Sequence, residues 1–330
     1  MSITRQHLID LARQETLQRA DRGAVVSGYL MGSVASGDPL LGGTADIDLV
    51  LIHSSEPSQQ RETVRLSHQI HLDIIHHSKE VYSKPSELRV HPWLGPALCE
   101  PIFLHDPDHF FERAQAGARG QFYRPDHTFA RASAFLHRAR QGHSLLGYSQ
   151  RWLKFYLRAV MEAANAVASL DKFPAAGRRL TLDLAKQAEH FEYPAFYEGF
   201  LNLLGGDHML AWNLPDMLSA WARAYDVASQ GEHHLRIPAY RRDYYLHAFQ
   251  AFIENGDPEA ILWPLLQSWE RVIAALPEVE ENEIHFKAWI DFLTRVRLTE
   301  RDKDQRAHML GAYIDQNTAW IKAWGIRVGA

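Results

Sequence analysis

The chain has 330 residues, 46% hydrophobic and 23% charged, an ordinary globular composition that excludes a wholly disordered polypeptide and leaves room for two domains. Its formal net charge of -5 gives no bulk signal for a nucleic-acid-binding surface. The only cysteine is Cys99, which excludes a disulfide framework or a cysteine-based zinc site within the chain and leads us to expect a cytoplasmic protein.

The opening residues, MSITRQHLIDLARQ, are amphipathic and carry charges throughout, with no apolar h-region of a signal peptide. No run of about 18 apolar residues occurs, so no membrane span is expected. Residues 5–20 set Leu8, Ile9, Leu11, Ala12 and Leu17 at near-helical spacing. Residues 24–31 read as a buried strand ending at Gly32, and residues 46–53 as a second strand. Residues 61–76 hold a third extended stretch, best defined in HQIHLDIIHH. A short fourth strand is expected at 101–105, followed by a helix near 107–117. Strands alternating with helices imply a small α/β domain with a mixed sheet. Beyond residue 118 helical patterning runs to the end, broken near Gly142, Pro174–Gly177, Gly205-Gly206, Gly231, Gly256–Pro258 and Pro277. The expected division is residues 1–118, a mixed α/β domain, and residues 119–330, a helical bundle. The aromatics that recur in the second part, among them Trp152, Trp221, Phe249, Trp269 and Trp289, read as helix-packing core.

Carboxylates stand out in the first part. Asp46 and Asp48 are separated by one residue on the second strand, so both project from one face while Ile47 and Leu49 point the other way. Asp73 lies in a later strand, within another Ile/Leu run. Burying carboxylates in such settings is costly unless something compensates them. Two carboxylates on one face suit hard cations such as magnesium, and Asp73 on a neighbouring strand would complete the set. Two ions about 4 Å apart would serve to activate a hydroxyl and neutralise a leaving pyrophosphate. Upstream, Gly32 lets a phosphate approach the backbone, and Ser33 offers a hydroxyl and an expected cap for the helix that follows. The turn is neither a P-loop nor a GxGxxG fingerprint, which argues against a P-loop ATPase and a Rossmann dehydrogenase.

Gly-Ser, a loop, Asp-x-Asp on a strand and a later strand carboxylate resemble the signature of the DNA polymerase β-like nucleotidyltransferase superfamily. Within it the chain looks most similar to bacterial enzymes of the aminoglycoside-adenylyltransferase type, which join the catalytic domain to a C-terminal helical one. The motif match covers residues 25–76. The resemblance implies that Gly32 and Ser33 hold the β- and γ-phosphates, that Asp46 and Asp48 bind magnesium, and that Asp73 binds metal or takes the acceptor proton. It also implies a helical-domain lysine reaching the triphosphate, for which Lys154 is the candidate and Arg158 the second. Two departures are the glycine-rich insert between Ser33 and Asp46 and the Thr44-Ala45 pair where a serine often precedes the acids.

Other residues carry weaker signals. Lys154, Arg158, Glu162 and Asn165 form a polar stripe on an otherwise apolar helix, and Arg158–Glu162 also reads as an ordinary helix pair. Arg178-Arg179 read as a solvated helix end. His71 should share the face of Asp73, as a structural or supporting histidine, and His76-His77 read as exposed. Arg241 to His247 matches the short R-x(4–6)-H pattern of HEPN ribonucleases, and also an ordinary helix start after Pro238.

The expected activity is transfer of a nucleoside monophosphate, AMP from ATP by default, to a hydroxyl acceptor, with Mg2+ and pyrophosphate release. A small molecule such as an aminoglycoside would be the acceptor, met by acids such as Glu100, Glu162, Glu189 or Glu192. The rival classes are an antitoxin-like nucleotide-binding module without turnover and a HEPN-type nuclease. The sequence specifies neither acceptor nor oligomeric state.

Overall fold

The computed structural model describes residues 3–148, 151–171, 173–206, 213–231 and 237–330. The chain divides into two compact units, Met1–Arg131 and Ala132–Gly329. The first is built on a five-stranded mixed sheet and the second on helices, the α/β-then-helical class expected from the sequence pattern.

In the first unit, helix α1 (Arg5–Ala20) leads into β1 (Val25–Met31), the short helix α2 (Gly32–Ser36) and β2 (Ala45–His53). Strands β3 (Arg61–Arg65) and β4 (Ile70–Ser78) follow, then α3 (Pro85–Leu88), α4 (Leu94–Ala97), β5 (Ile102–His105) and α5 (Phe110–Arg119). The strand order is β3-β4-β2-β1-β5. The β2–β4 pair is parallel, and the β1–β2, β3–β4 and β1–β5 pairs are antiparallel.

The period-two pattern of β2 divides its side chains between two apolar layers. Ala45, Ile47, Leu49 and Leu51 join Ile70, Leu72 and Ile74 of β4 against Leu8, Ile9 and Ala12 of α1. On the other face Val50 and Ile52 pack with Tyr29, Tyr82 and Phe111, the Tyr29 and Phe111 rings stacked 4.2 Å apart. Residues of this second parity nearer the start of β2 are Asp46 and Asp48, so that face is apolar at one end and acidic at the other.

The stretch expected to be one extended segment over 61–76 is a hairpin of β3 and β4. Its turn lacks Gly and Pro, so nothing in the composition marked it. The Ser67 hydroxyl closes it, accepting from the Gln69 and Ile70 N–H groups at 3.2 and 3.1 Å. The insert after Ser33 is compact. Leu41 and Thr44 exchange both backbone hydrogen bonds, at 3.1 and 3.2 Å, across Gly42-Gly43, whose φ values of 58° and 70° suit a tight two-residue turn.

Helix α6 (Pro125–Ser144) runs through the boundary between the units. The second unit continues with α7 (Trp152–Ala168), α8 (Leu180–His190), α9 (Pro194–Leu203), α10 (Leu214–Gln230) and α11 (Arg241–Asn255). It ends with α12 (Leu262–Ala275), α13 (Glu283–Arg295) and α14 (Lys303–Val328). Its aromatics are core, as their spacing implied: Trp221 meets Phe249 edge-on at 5.3 Å, and Trp269 stacks on Phe292 at 5.1 Å. Among the described residues, no helix is long and apolar enough to cross a membrane.

Candidate functional site

Asp46 and Asp48 leave β2 on the face opposite the α1 core. The parallel pairing with β4 sets Asp46 beside His71 and Asp48 beside Asp73. All four residues therefore share one face at the start of two adjacent strands. On the other side of β2, β1 pairs in antiparallel register and places Met31 opposite Asp48. The chain turns into α2 immediately afterwards, which brings Gly32 over the same carboxylate. A Cβ built on Gly32 would lie 2.1 Å from Asp48 Oδ2, and the residue has φ +68°. Only glycine permits both this backbone conformation and this approach. Gly32, Asp46, Asp48 and Asp73, drawn from two strands and a turn, are thus gathered in the first unit, with Ser33 adjoining.

Some expectations about this turn are corrected. Helix α2 has five residues, its N-cap position is Met31, and no side-chain cap hydrogen bond is made there, so Ser33 is not a cap. Such a short helix carries little of the macrodipole that would favour an anion. What fixes the turn is an arginine the sequence reading passed over. Arg5, on the first turn of α1, donates from Nε and Nη2 to the Val34 and Ala35 carbonyls, both at 2.8 Å. Val34 itself is fully buried in the α1 core.

A second unanticipated arginine lies beside Asp73. Arg61, the first residue of β3, grips the carboxylate with its fork: Nε donates to Oδ1 at 2.6 Å and Nη2 to Oδ2. Arg61 stands opposite Ile75 in the antiparallel register and Thr63 opposite Asp73, so the pair is diagonal on one face. The alternation of RETVR held the signal, since Arg61, Thr63 and Arg65 share parity, but a hairpin had to be recognised first. Among the described residues, no three His, Cys, Asp or Glu side chains are gathered as a ready-made metal group. Asp46 and Asp48 face one way, with Gly32 against Asp48, while the Asp73 carboxylate is taken up by Arg61.

His71 is fully buried, in keeping with a structural or supporting histidine. His76 and His77 correct the expectation of exposure. His76 is buried on the α1 side: it donates from Nε2 to Glu62 at 3.2 Å, and its Nδ1 meets His53 Nε2 at 2.8 Å. Burial lowers the pKa of both His53 and His76. His77, on the other face, bonds the Tyr82 hydroxyl at 2.7 Å, and burial lowers its pKa too. A cavity of about 290 Å³ opens beside His53, His76, Glu62 and Arg19, and another of about 330 Å³ beside Phe103, His105 and Asp106. Neither is lined by Asp46, Asp48 or Asp73.

The second unit places the remaining candidates separately. Lys154 is exposed on α7, and Arg158 reaches Glu162 at 4.0 Å. The polar stripe is not a solvent face throughout. Glu162 is buried, with burial raising its pKa, and Asn165 is fully buried, donating to the Ala175 carbonyl and accepting from its N–H. Arg178 corrects the solvated-end reading: it is buried, stacks on the Tyr244 ring at 3.2 Å and donates to the Tyr244 carbonyl. Arg242 pairs with Asp226 at 3.0 Å, while His247 is exposed, roughly 140° further round α11.

No family model and no curated protein matches the chain. Among solved structures, a nucleotidyltransferase-like protein from Exiguobacterium sibiricum 255-15 is similar at 11% identity, over 87% of this chain and 91% of that one, with a TM-score of 0.29. An overlay that loose carries no argument, so the functional reading rests on the residues of this chain.

Proposed function

We propose that the first unit is a magnesium-dependent nucleotidyltransferase site that moves a nucleoside monophosphate, AMP from ATP, to a hydroxyl acceptor. The observation that carries the reading is the register: Asp48 level with Asp73 on a parallel neighbour, Asp46 one pleat away on the same face, and Gly32 pressed on Asp48. An ordinary sheet gains nothing from two carboxylates set side by side, because like charges directly opposite destabilise it.

In this reading Asp46 and Asp48 hold magnesium, with Asp73 as the third carboxylate. When bound, the metal offsets the polyphosphate charge and supplies Lewis-acid stabilisation of the developing negative charge. Gly32 and Ser33 receive the β- and γ-phosphates, glycine by permitting close backbone approach and serine by its hydroxyl. The acceptor oxygen forms a bond to the α-phosphorus, the bond from that phosphorus to the pyrophosphate oxygen breaks, and the acceptor proton passes to Asp73 or to water. The chain's part is orientation and electrostatic stabilisation. Aminoglycosides head the list of acceptors.

The test is pyrophosphate release with Mg2+, each of the four NTPs and a panel of hydroxyl compounds that starts with aminoglycosides. Asp48→Asn and Asp46→Asn should each lower turnover by about 10³-fold or more, the scale of losing a principal electrostatic group, without changing the thermal midpoint by more than a few degrees. Absence of both turnover and magnesium-dependent nucleotide binding in the wild-type chain would refute the reading.

A further inference from the structure

We propose that Arg61 is a built-in counter-ion for the third carboxylate: it holds Asp73 until a divalent cation takes that carboxylate, and the released guanidinium then binds the donor's phosphates. The inference rests on the reading of the site given above.

The argument starts from charge. Asp48 and Asp73 stand level on adjacent strands, and the Asp73 side chain is only 6% exposed. A buried carboxylate beside another needs positive charge nearby. In the chain by itself Arg61 supplies it, through a two-point fork on both oxygens. A divalent cation drawn to Asp48 and Asp73 answers the same need, and the two cations repel each other across a single carboxylate. One must leave, and Arg61 is the half able to do so. Its side chain is 63% exposed and comes from β3, an edge strand, whereas Asp73 is fixed within a buried part of β4.

The exchange is balanced in charge. The Arg61–Asp73 pair breaks, Asp73 gains the cation, and the guanidinium is freed with the fork geometry that suits phosphate oxygens. A cation arriving with a polyphosphate therefore satisfies both released groups at once. A cation arriving alone must break the pair without compensation, so Arg61 penalises metal binding without nucleotide and rewards binding of the two together.

This gives effects of opposite sign from one side chain. Mn2+ is the probe, measured by water-proton relaxation on the full chain without nucleotide or turnover. Arg61→Gln should bind Mn2+ about tenfold more tightly than wild type, the order expected when a unit charge several ångströms from a divalent ion is removed. With Mn2+ saturating, the same variant should bind inorganic tripolyphosphate at least about fivefold more weakly, from loss of a phosphate contact. Arg61→Lys, which keeps the charge without the fork, should fall between. The double variant Arg61→Gln with Asp48→Asn should lose the gained Mn2+ affinity. Unchanged or weaker Mn2+ binding by Arg61→Gln, with wild-type binding that depends on Asp48, overturns this inference and leaves the proposed function standing. Absence of Mn2+ binding in wild type and variant alike overturns this inference, and the proposed function is then decided by magnesium-dependent nucleotide binding and turnover. Tighter Mn2+ with unchanged tripolyphosphate overturns the phosphate half alone. If Arg61→Gln does not fold, Arg61→Lys decides: tighter Mn2+ than wild type supports the counter-ion role, and equal or weaker binding overturns it.

Discussion

A methyl group on residue 32 would collide with Asp48 Oδ2, and the same residue needs a left-handed backbone that side chains disfavour. Gly32→Ala should therefore do two things. Backbone strain should lower stability by about 1–3 kcal/mol, and the displaced Asp48 carboxylate should weaken Mn2+ binding. Gly37 is the control: its φ is +100°, but a Cβ there meets nothing within 4 Å. Gly37→Ala should lower the urea midpoint comparably and leave Mn2+ affinity unchanged. Equal metal affinity in wild type and both variants would mean that the contact of Gly32 with Asp48 has no functional content. The comparison also shows what a residue pattern discloses. Gly32, Asp46, Asp48 and Asp73 were legible as single residues because glycine and carboxylates are out of place in Val/Ile/Leu runs. Arg5 and Arg61 were not, because an arginine at a helix start or strand end is unremarkable until its partner is known. Each acts on a group far away in sequence: Arg5 on Val34 and Ala35, Arg61 on Asp73.

At the scale of elements, α1 was readable from its helical spacing, and β1 and β2 from apolar runs that are buried on both faces of the sheet. The β3–β4 hairpin was not, because its turn has no Gly or Pro and is closed by the Ser67 hydroxyl. That omission also hid the end of the sheet opposite the acids. There β2, β4, β3 and α1 are tied by a polar chain in which His53 meets His76, His76 meets Glu62, and Glu62 pairs with Arg19 at 3.1 Å. His76 looked exposed from its place near a strand end, yet its parity is that of Leu72 and Ile74, which face α1. Burial lowers the pKa of His53, His76 and His77 in the folded chain. The unfolded chain, with histidines near pKa 6.5, thus takes up protons first as pH falls. The stability tied to these neutral histidines is complete above about pH 6.5 and is lost as pH drops from there toward their depressed folded values. The urea midpoint should begin to decline as pH falls through about 6.5, ahead of carboxylate titration. In His76→Gln the decline should be shallower. An identical slope in that variant would show that other groups set the acid limb.

At the scale of the whole chain, the two units differ in what holds them together. The first has a sheet with an apolar layer on each face, α1 on one side and Tyr82 and α5 on the other. The second has aromatic-rich helix packing, with buried Trp221, Trp263 and Trp269 at its centre. Helical periodicity made the second unit legible as helical, but not the company its polar residues keep: Arg178, Glu162 and Asn165 are all buried, where spacing alone offered a solvated stripe or helix end. Gly32, Asp46, Asp48, Asp73 and the controlling arginines Arg5 and Arg61 all lie within Met1–Arg131. A unit of that size with a core on both sheet faces is large enough to fold alone. A chain ending at Ser144, which keeps α6 whole, should unfold cooperatively in urea and bind Mn2+ within about twofold of the full chain, a difference below 0.5 kcal/mol. The proposed transfer needs an acceptor as well, so this shorter chain separates cation binding from turnover. Cooperative folding with full Mn2+ affinity would establish that the acid cluster is complete in the first unit. Cooperative folding with affinity lost would refute that.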